Sequence, residues 1–212
     1  MNAKEKIYPK LAKYCADAVN SFNDISDERK IILNDMASYT LNSIKSQEVV
    51  NLNFICTHNS RRSHMAQLWA AAAAEYYGIK SIQSFSGGTE ATAFNKNAID
   101  AMERAGFQII MTHKGNNPVY EAMCSTNSEA HKMWSKKFDD PLNPSEHFAA
   151  VMVCSDADQN CPFVPEATRI SMPFDDPKAF DGTPSESAKY DERCFQIATE
   201  ILYVMHQVKM RP

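Results

Sequence analysis

The stretch FICTHNSRRSHMAQ, residues 54–67, puts Cys56 at the end of an apolar run and Arg62 where helix-forming residues begin. A segment that leaves a strand and enters a helix converges its backbone N–H groups on one point. It adds the positive end of the helix dipole there, which makes a cradle for an oxyanion. A thiol at the mouth of such a cradle, beside an arginine, drops from its ordinary pKa of about 8.5 towards thiolate at neutral pH and becomes a nucleophile. Arg62 offers a planar fork for two oxygens of a tetrahedral oxyanion, and Ser63 can donate a hydrogen bond to the thiolate or the leaving sulfur. Thr57, His58, Asn59, Ser60 and Arg61 complete the expected oxyanion-binding loop, with Thr57 and Asn59 bracing it. The alternative without chemistry is a buried strand-end cysteine and a solvated helix arginine. The strand-to-helix placement and the serine that follows favour the chemistry.

Such a nucleophile needs a general acid to protonate the departing oxygen. Phe-Asp-Asp-Pro occurs twice, at 138–141 and at 174–177. In open parallel sheets ligands sit beyond the carboxyl ends of the strands. The second copy directly follows the apolar run TRISMPF (168–174), so Asp176 is expected on the same edge as Cys56. Asp140, in the first copy, reads instead as an Asp-Pro turn.

A third constellation is VCSDADQNCP, in which Cys154 ends a strand and Cys161 lies seven residues later in the loop or short helix beyond. A zinc site would have to recruit two more ligands from His131, His147 or Cys124, and is disfavoured. Two inert cysteines remain an alternative. A redox role is favoured because a thiol beside an anion-binding nucleophile can attack its covalent adduct, and a further thiol can relay the disulfide outward.

The elements that must position these residues follow from periodicity. Residues 7–22 place Ile7, Leu11, Tyr14, Cys15, Ala18, Val19 and Phe22 at helical spacing, with Pro9 in a first turn. Ser26 opens a second helix with Leu33, Met36, Ala37 and Ile44 on its apolar face. From Val49 strands and helices alternate: VVNLNFIC as strand, Met65 to Tyr77 as helix, IQSFSGG as strand, and Asn97 to Ala105 as a helix closed by Gly106. AAVMVCS (149–155) and TRISMPF supply two more strands, and Ala188 to Val208 a closing helix. The expected fold class is α/β, an open sandwich on a four-stranded parallel sheet, with an N-terminal helical hairpin. Residues 116–146 read as an inserted β-hairpin built from VYEAMCS and HKMWSKKF. The division expected is a helical extension over 1–46 and a catalytic domain over 47–212 that carries the insert.

Composition narrows the ligand. With 212 residues, 44% hydrophobic and 23% charged, the chain suits one ordinary globular domain, and its net charge of −4 comes without a basic stripe. A small oxyanion is therefore expected rather than nucleic acid. No run of 18 apolar residues and no apolar stretch after MNAKEKIYPK is present, so neither a membrane partner nor a signal peptide is expected and the protein is placed in the cytoplasm. Six cysteines in that setting are expected as reduced thiols, any disulfide being transient.

The segments Cys56-Thr-His-Asn-Ser-Arg-Arg62-Ser63, Cys154-Ser-Asp-Ala-Asp-Gln-Asn-Cys161-Pro and Phe174-Asp-Asp176-Pro177 resemble the three signature segments of thioredoxin-coupled arsenate reductases. That family shares the fold of the low-molecular-weight protein tyrosine phosphatases. The resemblance runs from about residue 48 to 208, the insert excluded, and its specific part is the double-cysteine segment, which the phosphatases do not need. It implies that Cys56 attacks, that Arg62 and the loop amides bind arsenate, and that Asp176 is the acid. Cys154 then displaces arsenite by forming a disulfide with Cys56, and Cys161 shifts it to a Cys154–Cys161 pair for thioredoxin to reduce.

The loop departs from the family at two positions. His58 stands where the family has glycine, and if that position has positive φ the histidine costs on the order of 1–2 kcal/mol. Arg61 stands where cysteine is usual, and is expected either as an oxyanion ligand or as a surface residue paired with an insert carboxylate such as Glu121. Gln67 replaces a glutamate through which some relatives bind potassium, so neither a metal nor a cofactor is expected. Three functions stay open. Arsenate reduction uses all three segments, and phosphatase activity needs only Cys56, Arg62 and Asp176. Against a tyrosine phosphatase, Lys178 takes the place of a stacking aromatic. The third is anion or redox sensing with little turnover.

Overall fold

The computed structural model describes residues 7–160 and 164–211. Its centre is a parallel sheet of β1 (Val50–Cys56), β2 (Ile82–Gly88), β6 (Phe148–Met152) and β7 (Ala167–Ser171), in the order β2-β1-β6-β7. β1 is paired on both sides, Leu52 standing between Ser84 and Ala149. It is covered on both faces, which is why it reads as a nearly continuous apolar run rather than an alternating one. All four strands run the same way. The chain therefore leaves Cys56, Met152 and Ser171 at one edge, and the segments after them can meet there.

Helix α3 (Arg62–Tyr77) returns from that edge over β1 and β2, and its buried Ala66, Ala70, Ala72 and Ala73 allow close approach. The long α6 (Glu186–Met210) packs against it. The two N-terminal helices, α1 (Pro9–Asn20) and α2 (Asp27–Lys45), are joined by a short turn at Phe22–Asp24, and both lie on α6. Leu11, Leu33 and Met36 are wholly buried in the same core as Leu52 and Phe54. α1 also crosses the end of α4 (Lys96–Ala105), where Gly106 has φ 117° and a Cβ would stand 2.6 Å from the Leu11 nitrogen. Only glycine meets both demands there.

The expected inserted hairpin is present as β4 (Val119–Met123) and β5 (His131–Met133), but it is part of a three-stranded antiparallel sheet. The third strand, β3 (Gln108–His113), pairs with β4 and was not expected from the sequence. Its side chains are exposed along nearly the whole strand, so it lacks the alternation that betrays a half-buried one. After β5 the chain runs back to the parallel sheet, where Phe138 N donates to Gly88 O and Gly88 N to Lys136 O, each at 2.9 Å. The insert thereby touches the edge that carries Cys56. Among the described residues no helix is long and apolar enough to cross a membrane.

Candidate active site

Cys56 ends β1 with 4% of its surface exposed, and α3 begins six residues later at Arg62. The loop between them is held by its carbonyls. Thr57 O accepts from Glu90 N at 2.8 Å and from Thr89 Oγ1 at 3.1 Å. His58 O accepts from Ser135 Oγ at 2.9 Å, and Ser60 O from Asn95 N at 2.9 Å. Among the described residues no N–H of residues 57–61 donates to a protein acceptor. A row of free amides beside a sulfur, at the start of a sixteen-residue helix, is the arrangement that attracts an oxyanion. Gly88 lines the loop closely, since a Cβ there would meet Thr57 O and Asn59 N at 2.7 Å.

The left-handed residue of the loop is Asn59, φ 43°, and not His58. The strain expected of His58 is thus absent, and falls on a residue type that tolerates this conformation. Asn59 is wholly buried and ties three parts together. Its Nδ2 donates to Ser63 Oγ at 2.9 Å, its Oδ1 accepts from Lys136 N at 2.9 Å, and Ser63 Oγ lies 3.1 Å from Cys56 Sγ. His58 turns its ring outward, 43% exposed and 3.7 Å from the Glu90 carboxylate.

Arg62 has a 12% exposed side chain, and both terminal nitrogens of its guanidinium are engaged while its buried Nε has no partner among the described residues. One arm donates to Phe174 O at 2.8 Å, the other to Asp176 Oδ2 at 2.7 Å. Asp176 caps the short turn Pro177–Phe180 through Lys178 N at 3.0 Å, which fixes its carboxylate at the sheet edge. Asp140 sits in a different place, its Oδ1 accepting from Leu142 N at 2.9 Å in a local turn. Cys154 follows β6 and is 1% exposed. Its sulfur lies 3.6 Å from Thr57 Oγ1 and accepts from Ala157 N at 3.3 Å in the short helix α5 (Ser155–Asn160). Thr57 Oγ1 donates to Asp156 Oδ2 at 2.8 Å, so one hydroxyl joins the loop to the Cys154 segment. Cys161 lies outside the described residues.

Arg61 does not pair with Glu121, the insert carboxylate considered from the sequence. Its Nε donates to Tyr190 Oη at 2.8 Å, and its guanidinium lies 3.3 Å from Asp181 Oδ2. Tyr190 donates in turn to Asp181 Oδ1 at 2.7 Å, and burial together with that carboxylate pushes its phenol up to about 12. Sequence reading missed Tyr190 and Asp181, since nothing in their spacing links them to a loop more than a hundred residues away. It also missed Ser135 and Lys136, which the insert brings against the loop.

The remaining described thiols are packing residues. Burial pushes Cys15 up to about 12 and Cys194 up to about 11, and Cys194 accepts from Trp69 Nε1 at 3.3 Å. Gln67 is satisfied by β2, donating to Ser84 O at 3.2 Å and accepting from Ser86 Oγ at 2.6 Å. Among the described residues no group of three or more His, Cys, Asp or Glu side chains is placed to hold a metal ion. A groove of about 580 Å³ lies behind Phe174, lined by Arg29, Arg193 and Gln196 among others, and includes no loop residue. The loop itself suits a ligand of a few atoms, which needs no such cavity.

A thiol on an oxyanion-type loop, an arginine fork, a carboxylate and a second thiol meet at one parallel-sheet edge, and comparison with known proteins places the chain among proteins of that class. The model of the low molecular weight phosphotyrosine protein phosphatase family matches residues 51–126. An arsenate reductase of Bacillus subtilis (strain 168) is 32% identical over 141 residues, covering 66% of this chain and 83% of that protein. Arsenate reductase 2 of Staphylococcus haemolyticus (strain JCSC1435) is 36% identical over 129 residues, covering 58% and 76%. A solved structure of a YwlE mutant from Bacillus subtilis shares the fold with a TM-score of 0.50 at 15% identity, covering 76% of this chain and 99% of that one. The chain belongs to the low molecular weight phosphotyrosine protein phosphatase family, and the curated proteins it resembles include arsenate reductases.

Proposed function

We propose that the protein reduces arsenate to arsenite, using Cys56 as nucleophile and Cys154 and Cys161 as a thiol relay to thioredoxin. Cys56 sulfur bonds to As(V) while one arsenate oxygen departs as water, protonated by Asp176. Cys154 then attacks the Cys56 sulfur. An S–S bond forms, the S–As bond breaks, and its electron pair stays on arsenic, which leaves as arsenite. Cys161 attacks Cys154, frees Cys56, and leaves a Cys154–Cys161 disulfide for a thioredoxin dithiol to reduce. Arsenate and two thiols thus give arsenite, water and one disulfide.

The observation that carries this reading is the second thiol beside the loop, Cys154 Sγ lying 3.6 Å from Thr57 Oγ1. The likeness to curated arsenate reductases supports it. Hydrolysis of a phosphate monoester is the second reading, favoured by the Cys56–Arg62–Asp176 set, which is sufficient for it. Steady-state assays test the choice: arsenate should drive consumption of reduced thioredoxin, and Cys56→Ser should abolish that as well as any aryl-phosphate hydrolysis. Turnover of aryl phosphate without arsenate-dependent thioredoxin oxidation would select the phosphatase.

A further inference from the structure

Two consecutive arginines of the loop hold the two ends of one short segment. Arg62 binds Asp176, the residue that caps the start of the Pro177–Phe180 turn. Arg61 binds Asp181, which caps its end, and shares that carboxylate with Tyr190. Tyr190 is wholly buried on α6 and the Arg61 side chain is only 12% exposed, so this is a held hydrogen-bonded triad and not a fluctuating surface pair.

An oxyanion acts differently on the two clamps. Arg62 has an unpartnered Nε but one terminal nitrogen on Asp176, so presenting that arm as well to a tetrahedral anion requires the release of Asp176. Arg61 already spends Nε on Tyr190 and a terminal nitrogen on Asp181, and its charge is met by the Asp181 carboxylate. Once Arg62 has turned, Asp181 becomes the remaining side-chain anchor between the loop and the turn that carries the acid.

We propose that Arg61 is a positioning residue and not an oxyanion ligand: with Tyr190 and Asp181 it keeps the acid-bearing turn docked while Arg62 moves to the anion. The freed Asp176 carboxyl then stays beside the oxygen that must leave. This rests on reading Cys56, Arg62 and Asp176 as the reacting set.

The test is hydrogen–deuterium exchange of the 176–182 region in the full chain, with and without arsenate, alongside calorimetric arsenate affinity. In the wild type the turn should stay equally protected in both conditions. In Arg61→Ala its exchange should rise at least about tenfold with arsenate bound and less than about threefold without it, because Arg62 still holds Asp176 in the free protein. Tyr190→Phe should fall between, and Arg61→Lys should restore part of the protection. Arsenate affinity of Arg61→Ala should stay within about threefold of wild type, and aryl-phosphate kcat should fall for poor leaving groups while good ones are spared. Arsenate-independent loosening, loosening throughout the protein, or a tenfold or greater loss of arsenate affinity overturns the proposal. A wild type that binds arsenate but turns over neither arsenate nor aryl phosphate sinks the proposed function alone, the exchange data still deciding the clamp. A wild type that binds no arsenate overturns both.

Discussion

A carboxylate oxygen of Asp176 lies 2.7 Å from a guanidinium nitrogen of Arg62, so the candidate acid occupies an arm of the residue that is to bind the oxyanion. Both side chains are largely buried, at 32% and 12% exposed, and the pair stands at the mouth of the loop. On the proposed function, an oxyanion that takes this arm of Arg62 displaces Asp176 from it and releases the carboxyl beside the leaving oxygen.

Neutralising the carboxylate separates those two roles. Asp176→Asn is expected to slow aryl-phosphate cleavage by roughly 10² or more, and to tighten inhibition by inorganic phosphate, since Arg62 loses a charged competitor. Asp140→Asn, whose carboxylate accepts from Leu142 N in a local turn and faces the Lys136 ammonium rather than Arg62, is expected to change turnover little. Steady-state kinetics of the three proteins side by side check this, and the reverse ranking would assign the acid to the other Phe-Asp-Asp-Pro segment.

The N-terminal helices are docked by a buried ion pair. Arg29 of α2 donates to Glu200 of α6 at 2.8 Å, and Glu200 is only 4% exposed. Arg29→Met leaves that carboxylate uncompensated and is expected to cost about 3–5 kcal/mol, or roughly 10 °C in Tm. Combining it with Glu200→Leu should recover most of the loss, as followed by scanning calorimetry. A single variant as stable as wild type would show that the pair contributes nothing.

Acid sensitivity has a source next to the loop. Burial lowers the His64 pKa from 6.5 to about 3, so the folded state holds this ring neutral while the unfolded chain protonates it below 6.5. The unfolded state therefore binds more protons between those values, and the contribution of His64 is complete above pH 6.5 and lost as pH falls towards 3. His64→Gln should flatten the decline of Tm between pH 7 and about 4 relative to wild type. Parallel curves for the two proteins would contradict the assignment.

Much of this architecture is legible in the sequence because periodicity reports burial. VVNLNFIC and IQSFSGG fall within a residue of β1 and β2, and Gly106 closes α4 where expected. β3 escapes because an exposed strand has no face to alternate. In the candidate site, Cys56 is recognisable because it ends an apolar strand, Arg62 because it opens the helix that follows, and Asp176 because its Asp-Pro segment follows the TRISMPF run. Arg61's partners are not: the pairing with Tyr190 and Asp181 arises from how α6 and the Pro177–Phe180 turn before it meet the start of α3, a tertiary fact with no local signature. The left-handed loop residue is Asn59, so the condition under which His58 would be strained is not met, and backbone conformation at this level is not legible from residue type alone.

The second thiol separates the two chemistries that the nucleophile permits. Cys154→Ser is expected to leave aryl-phosphate hydrolysis within about threefold of wild type while eliminating thioredoxin-dependent arsenate turnover. A phosphoenzyme waits for water, whereas arsenite leaves only when a thiol attacks the Cys56 sulfur. Parallel assays on one preparation decide it, and equal loss of both activities would make Cys154 a structural residue.

The most direct measurement is the identity of the disulfide that arsenate generates. Protein treated with arsenate, alkylated, and digested without reductant should show by mass spectrometry a Cys154–Cys161 bridge in the wild type. Cys161→Ser should complete about one turnover and hold a Cys56–Cys154 bridge instead. If arsenate leaves all three thiols of the wild type open to alkylation, or if both Cys154→Ser and Cys161→Ser keep multiple-turnover reduction, the thiol relay is contradicted.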